Sequence, residues 1–220
     1  MKKLIYLFIL LIALTGCSTG NNADNRAEEN KEVQKEQTEK VDPKVKNDVY
    51  VPNPQVTDDR NLVKIDQTIS DSKGELTLKA YKKVDETLKV GPIEMIIKNV
   101  KVMHFVPDYS MIDFFHAYTH EEEFDFVKVE VEVKNTSNDL IKYTPIAALK
   151  LNSGEYKTFE DDIYLEELTG ELEANGVKKG NMGFILNKAQ QVSGIELLTS
   201  DAVGKEGNII EKGQNLKIDL

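Results

Sequence analysis

The amino-acid sequence predicts an all-β domain, a sandwich of short antiparallel strands, set behind a tether and a removable export signal. Three observations carry that expectation. Apolar residues recur with period two, most clearly at Val127, Val129, Val131 and Val133, with Lys128, Glu130, Glu132 and Lys134 between them. Strand-like runs are short and are separated by turn residues such as 135–138 (NTSN), Gly154 and Gly180. Stretches with helical spacing are few. Alternation sends one face of each strand into a core and the other toward water, and many such strands close into two packed layers.

The first element is the export signal. Lys2 and Lys3 form a short positive head, and residues 4–14 are an unbroken run of eleven apolar side chains. Eleven is too few to cross about 30 Å of hydrocarbon, which takes roughly 20 helical residues, and suits the apolar middle of a secretory signal. The run ends in Leu14, Thr15, Gly16 and Cys17, which resembles the lipobox of bacterial lipoproteins. That resemblance implies cleavage after residue 16 and a diacylglycerol on the Cys17 thiol, with palmitate-type chains. Thiolate sulfur is the soft nucleophile that lipid transfer needs, and two acyl chains anchor stably where one holds only marginally. The expected location is the extracytoplasmic face of the cell membrane of a Gram-positive cell.

Residues 17–60 read as the lipidated cysteine and a charged tether. Between 18 and 60, 17 of 43 residues are charged and nine are hydrophobic, none of them Leu, Ile, Met or Phe. Such a stretch buries too little apolar surface to offset its ordering entropy, so disorder is expected. As a flexible coil it would reach roughly 35–40 Å.

From residue 61 to 220 the composition turns globular, and the elements follow in order. Residues 74–80 (GELTLKA) alternate, with Leu76, Leu78 and Ala80 on one face. Residues 93–105 are rich in β-branched side chains, but the alternation of Ile93, Met95 and Ile97 shifts phase to Val100 and Val102. A bulge near Asn99 is expected from that shift. The valine stripe at 126–134 is the clearest strand, and Lys128 is expected to face out. Further strands are expected at 140–143, 147–151, 156–159, 181–186, 195–199 and 216–220. Residues 163–172 (IYLEELTGEL) read as a short helix or another strand.

At this point three motifs stand in order: 126–138 (FVKVEVEVKNTSN), 149–156 (LKLNSGEY) and 176–184 (GVKKGNMGF). The series resembles the telokin-like, immunoglobulin-like domains of unknown function found on Bacillus-type lipoproteins, over about residues 88–200. The resemblance implies an immunoglobulin-like β-sandwich and brings no catalytic residues. The sequence departs from that pattern between Phe105 and Phe124.

Composition and motifs narrow the function. With 28 basic and 38 acidic residues the net charge is −10, which argues against a nucleic-acid partner, since phosphate recognition needs a basic face. One cysteine excludes internal disulfides and paired-cysteine zinc sites. No G-x-S-x-G elbow, P-loop or dinucleotide fingerprint occurs. Ser70 and Lys73 match S-x-x-K, but in a polar turn and without companion elements. Glu160, Asp161 and Asp162, with Glu166 and Glu167, read as solvated charge. No cofactor and no catalysis are expected.

The segment 104–126 is anomalous, holding all three histidines and seven of the thirteen aromatic residues after residue 60. Read as a helix over 110–123, it places Met111, Phe114, Phe115 and Tyr118 on an apolar stripe. With Tyr109, these form the candidate contact surface. Asp113, His116, His120 and Glu123 share the opposite face, where two imidazoles at i, i+4 suit a zinc-type ion. The function expected is therefore a lipid-anchored binding module for an envelope protein or small ligand. The alternatives are a metal-binding or metal-dependent protein using His116 and His120, and a structural or stress-protective envelope lipoprotein without a defined ligand.

Overall fold

A computed structural model of the chain describes residues 50–188 and 191–220. The signal peptide, the lipobox, Cys17 and the tether up to residue 49 lie outside the described residues. Thirteen strands follow in order: β1 (Thr68–Asp71), β2 (Gly74–Val90), β3 (Ile93–Pro107), β4 (Phe124–Asn135), β5 (Ile141–Tyr143), β6 (Ala148–Leu151), β7 (Tyr156–Thr158), β8 (Gly170–Leu172), β9 (Val177–Ile185), β10 (Gly194–Leu198), β11 (Ala202–Gly204), β12 (Ile209–Glu211) and β13 (Asn215–Asp219). One short helix, α1 (Ile112–Phe115), sits between β3 and β4. The expected immunoglobulin-like β-sandwich is the architecture found.

Among the described residues every strand pair is antiparallel. One layer is a five-stranded sheet in the order β1-β2-β3-β4-β9, and the other consists of two four-stranded sheets, β13-β10-β6-β7 and β12-β11-β5-β8. The ladder between β3 and β4 shifts register between Ile97 and Asn99, which is the bulge the phase change at Asn99 implies. It keeps Ile93, Met95 and Ile97, then Val100 and Val102, on one face. That face, with the valine stripe of β4, packs against Ile141, Leu149, Leu151, Ile195, Leu197 and Ile218 of the other layer.

The five-stranded sheet carries a second core on its other face, which the alternation pattern does not announce. Leu76, Leu78, Met103, Phe105, Phe124 and Phe126 line it, and Val56, Leu62, Phe115, Ile163 and Tyr164 cover it. Residues 50–60, read from sequence as tether, are therefore part of the folded unit, which begins near residue 50 instead of 61. The correction has a simple cause: Val56 is a lone apolar residue between Gln55 and Thr57, too sparse to signal a packed segment, yet it is fully buried. Lys128, expected to face water, is also buried, because its side of β4 is covered here.

The loop 162–169 closes this second core. Of the stretch 163–172, residues 170–172 form a strand, β8, as one of the two expectations has it, while the rest is irregular: Leu165 and Glu167 hold positive φ of 54° and 52°, which interrupts any regular hydrogen-bond ladder. The loop runs along the free edge of β9, where Ile163 N–H donates to the Gly183 carbonyl at 2.9 Å, and a glycine on each face of β9 leaves room for its side chains. A Cβ at Gly183 would stand 2.6 Å from the Tyr164 ring, and one at Gly180 would stand 2.5 Å from the Glu166 carboxylate. Asp162, read from sequence as solvated charge, instead anchors the loop, accepting backbone N–H bonds from Gly183 (2.8 Å), Tyr164 (3.0 Å) and Leu165 (3.3 Å).

Burial outweighs those donors and raises the Asp162 carboxyl to about 6, with Glu166 adding to the effect. An unfolded aspartate titrates near 3.8. The folded chain thus takes up this proton at a higher pH than the unfolded chain does. This group adds stability as pH falls through about 6, fully by about 4, and withholds it above 6. A two-unit difference corresponds to roughly 3 kcal/mol. Asp162→Asn is therefore expected to be more stable relative to wild type at pH 7.5 than at pH 4 by about 2–3 kcal/mol. Urea unfolding of both proteins at the two pH values checks this, and a gap that does not change with pH would contradict it.

Candidate functional site

The aromatic segment 104–126 folds differently from its periodicity. A 3-10 turn, Tyr109–Met111, precedes α1, and the helix ends at Phe115. His116 caps that helix and His120 lies beyond it, so the i, i+4 face over 110–123 does not form. The two imidazole rings sit 6.4 Å apart, centroid to centroid. Asp113, His116 and His120 are exposed, while Glu123 lies beside His104, with carboxylate and Nε2 3.7 Å apart. Among the described residues no three His, Cys, Asp or Glu side chains gather as a metal site. The four expected ligands are not brought together, because the chain leaves helical geometry before the second histidine.

The expected contact surface is likewise divided. Phe115 is buried, making edge-to-face contacts with Phe105 and Phe114 at 5.4 and 4.9 Å and a tilted one with Phe124 at 5.1 Å. Met111, Phe114 and Tyr118 pack against the same core. Tyr109 stands apart from the rest, 89% exposed. The stripe spends its apolar area on the second core and is not a free docking face.

Two polar constellations remain that the periodicity argument did not single out. The first is a buried ion triad. Lys101 and Lys128 are direct partners across β3 and β4, on the face of the second core, where like charges repel. Asp59 bridges them: its Oδ2 accepts from Lys101 Nζ at 2.8 Å, its Oδ1 from Lys128 Nζ at 2.7 Å. Lys101 Nζ also donates to the Asp59 carbonyl at 2.6 Å. Burial pushes the Asp59 carboxyl up, but the two ammonium groups outweigh it and hold it below the usual aspartate range. The triad ties residues 50–67 to the sheet, and Asn53 adds a bond from its Nδ2 to the Tyr164 carbonyl at 2.9 Å.

The second constellation lies on the opposite face, at the open end of the sandwich. There β2, β3 and β4 run past the second layer. A cavity of about 590 Å³ opens with Ala80 and Val102 on one side, Val192 and Leu220 on the other, and Lys79 and Asp125 as its charged groups. Asp125 is 9% exposed. Its Oδ1 meets His104 Nδ1 at 2.8 Å across the β3–β4 ladder. This carboxylate was legible in sequence but overlooked: Asp125 shares its parity with Val127, Val129, Val131 and Val133, so it occupies an inward-facing position. A buried aspartate with one oxygen held by a histidine is suited to accept a hydrogen bond or a positive charge from a bound molecule.

Among the described residues no helix is long and apolar enough to cross a membrane. Comparison with known proteins agrees with anchoring by lipid. Residues 1–18 match the prokaryotic membrane lipoprotein lipid attachment site. The chain is 42% identical to the uncharacterized protein YdhF of Bacillus subtilis (strain 168), over 99% of each chain. Among solved structures it is similar to a functionally unknown protein from Listeria monocytogenes EGD-e, with a TM-score of 0.47 and 13% identity over 67% of this chain and 88% of that one. It is also similar to the yjhA protein of Bacillus subtilis, with a TM-score of 0.38 and 15% identity over 63% and 98%. Residues 82–209, from the middle of β2 to the start of β12, match a domain of unknown function, DUF4352; this chain is a lipid-anchored member of that family.

Proposed function

We propose that this protein is a binding module on the extracytoplasmic face of a Gram-positive cell membrane, anchored through a diacylglycerol on Cys17, and that it recognises a small ligand without catalysis. The lipid attachment site and the Bacillus relative support the location. The observation that carries the binding reading is Asp125. Its carboxylate, paired through one oxygen with His104, lines a cavity within the 300–1,000 Å³ range typical of small-molecule sites. The immunoglobulin-like sandwich, the architecture shared with telokin-like domains, supplies a rigid frame for such a site at its end.

The test is a ¹H–¹⁵N spectrum of the unlipidated chain beginning at Ser18, screened against amino acids, dipeptides, monosaccharides and quaternary amines. Shifts confined to Val102, Asp125 and Val192 for at least one class are expected. A screen in which no compound moves those resonances favours the structural reading of an envelope protein without a defined ligand, and overturns this one.

A further inference from the structure

The two charges on the cavity define what it holds. Asp125 Oδ1 is engaged by His104, and no described residue donates to Oδ2. A carboxylate on a cavity lined by both polar and apolar groups gains most from a charged donor, because charge-assisted hydrogen bonds are about twice as strong as neutral ones. Lys79 brings the opposite charge to the same cavity and, unlike Asp125, is exposed, so it belongs to the rim. It sits on β2 and Asp125 on β4, with β3 between them. Two strand spacings are about 10 Å between the backbones that carry the two charges. An extended dipeptide spans about 7 Å, and the flexible lysine side chain closes the remainder. Ala80, Val102 and Val192 offer apolar contact to the side chains between.

We infer that the cavity takes a short peptide with a free amino terminus, its ammonium group on Asp125 and its carboxylate toward Lys79. The inference rests on the reading of this cavity as the binding site and adds the ligand class to it. His104 acts as a positioning residue: its ring holds Asp125 Oδ1 and turns Oδ2 to the ligand. Glu123, on the far side of that ring, is mostly exposed and stands outside the cavity.

The experiment is a titration of the unlipidated chain from Ser18 with L-alanyl-L-alanine, its N-acetyl derivative and its C-terminal amide, read by the amide shifts of Val102, Asp125 and Val192. The free dipeptide is expected to bind. Acetylation should weaken it at least tenfold and amidation several-fold. Asp125→Asn should weaken the free dipeptide tenfold while leaving the weak binding of the acetylated form unchanged. Resonances of the second core, such as Phe105, report whether the variant is folded. Equal affinity for free and acetylated dipeptide overturns the peptide-amine inference while the cavity stands. Binding of sugars or quaternary amines alone, with no dipeptide, overturns it in the same way. If no compound of the wider screen shifts these resonances, the cavity reading itself falls.

Discussion

Asp59→Asn is expected to destabilise the folded domain by about 3–5 kcal/mol, the cost of leaving buried charge without its partner. The charge count of the triad sets the size of this loss. Lys101 and Lys128 are 3% and 4% exposed and face each other directly on adjacent strands. With Asp59 the cluster carries one net positive charge, and without it two. Lys101→Met removes the excess and leaves a balanced Asp59–Lys128 pair, so it should cost far less than Asp59→Asn although it deletes the Lys101 bonds to the Asp59 carboxylate and carbonyl. Chemical denaturation of the two variants at pH 7 measures both. A larger loss for Lys101→Met than for Asp59→Asn would show that the triad is held by packing and not by charge. Protonating Asp59 acts in the same direction as removing it. Its folded carboxyl titrates below the unfolded value, so its contribution is present above about pH 4 and is lost as pH falls further, the reverse of Asp162.

Phe115→Ala is expected to cost about 3–5 kcal/mol, the range for deleting a buried phenylalanine. Phe115 fills the second core against Phe105, Phe114 and Phe124, and the four-residue helix that carries it cannot collapse into the space left behind. Tyr109→Ala, six residues earlier, should change stability by less than about 0.5 kcal/mol, as exposed substitutions do. Thermal and urea unfolding of the pair decide whether the aromatic segment is a structural plug. A near-neutral Phe115→Ala would return the segment to the role of an exposed contact surface.

These variants also mark how far the sequence could be read. The valine stripe of β4 was legible because each inward position repeats every second residue, and so was the bulge at Asn99, since a phase change can be counted. The same strand hid its second role. Phe124, Phe126 and Lys128 share the face opposite the valines, and a lysine there reads as the start of a solvated face. Lys101 behaves likewise beside Met103 and Phe105. Whether such a lysine is wet depends on whether something covers it, and the cover comes from Asp59, 42 and 69 residues away along the chain. No local pattern encodes that meeting. The helix over 110–123 failed for a related reason: once Phe115 is docked, burial of that ring outweighs continuation of a helix with no further apolar stripe to bury.

The amino-acid pattern was enough for the lipid anchor, the all-β class and the order of the main strands, because each rests on local chemistry: a lipidated thiol behind an apolar run, and alternation at a period of two. The tertiary structure decided where the fold begins, which lysines are buried, and which carboxylate lines a cavity. Those depend on side chains far apart in sequence sharing one desolvated space, where the energy of a charge is set by its neighbours and not by its own residue type.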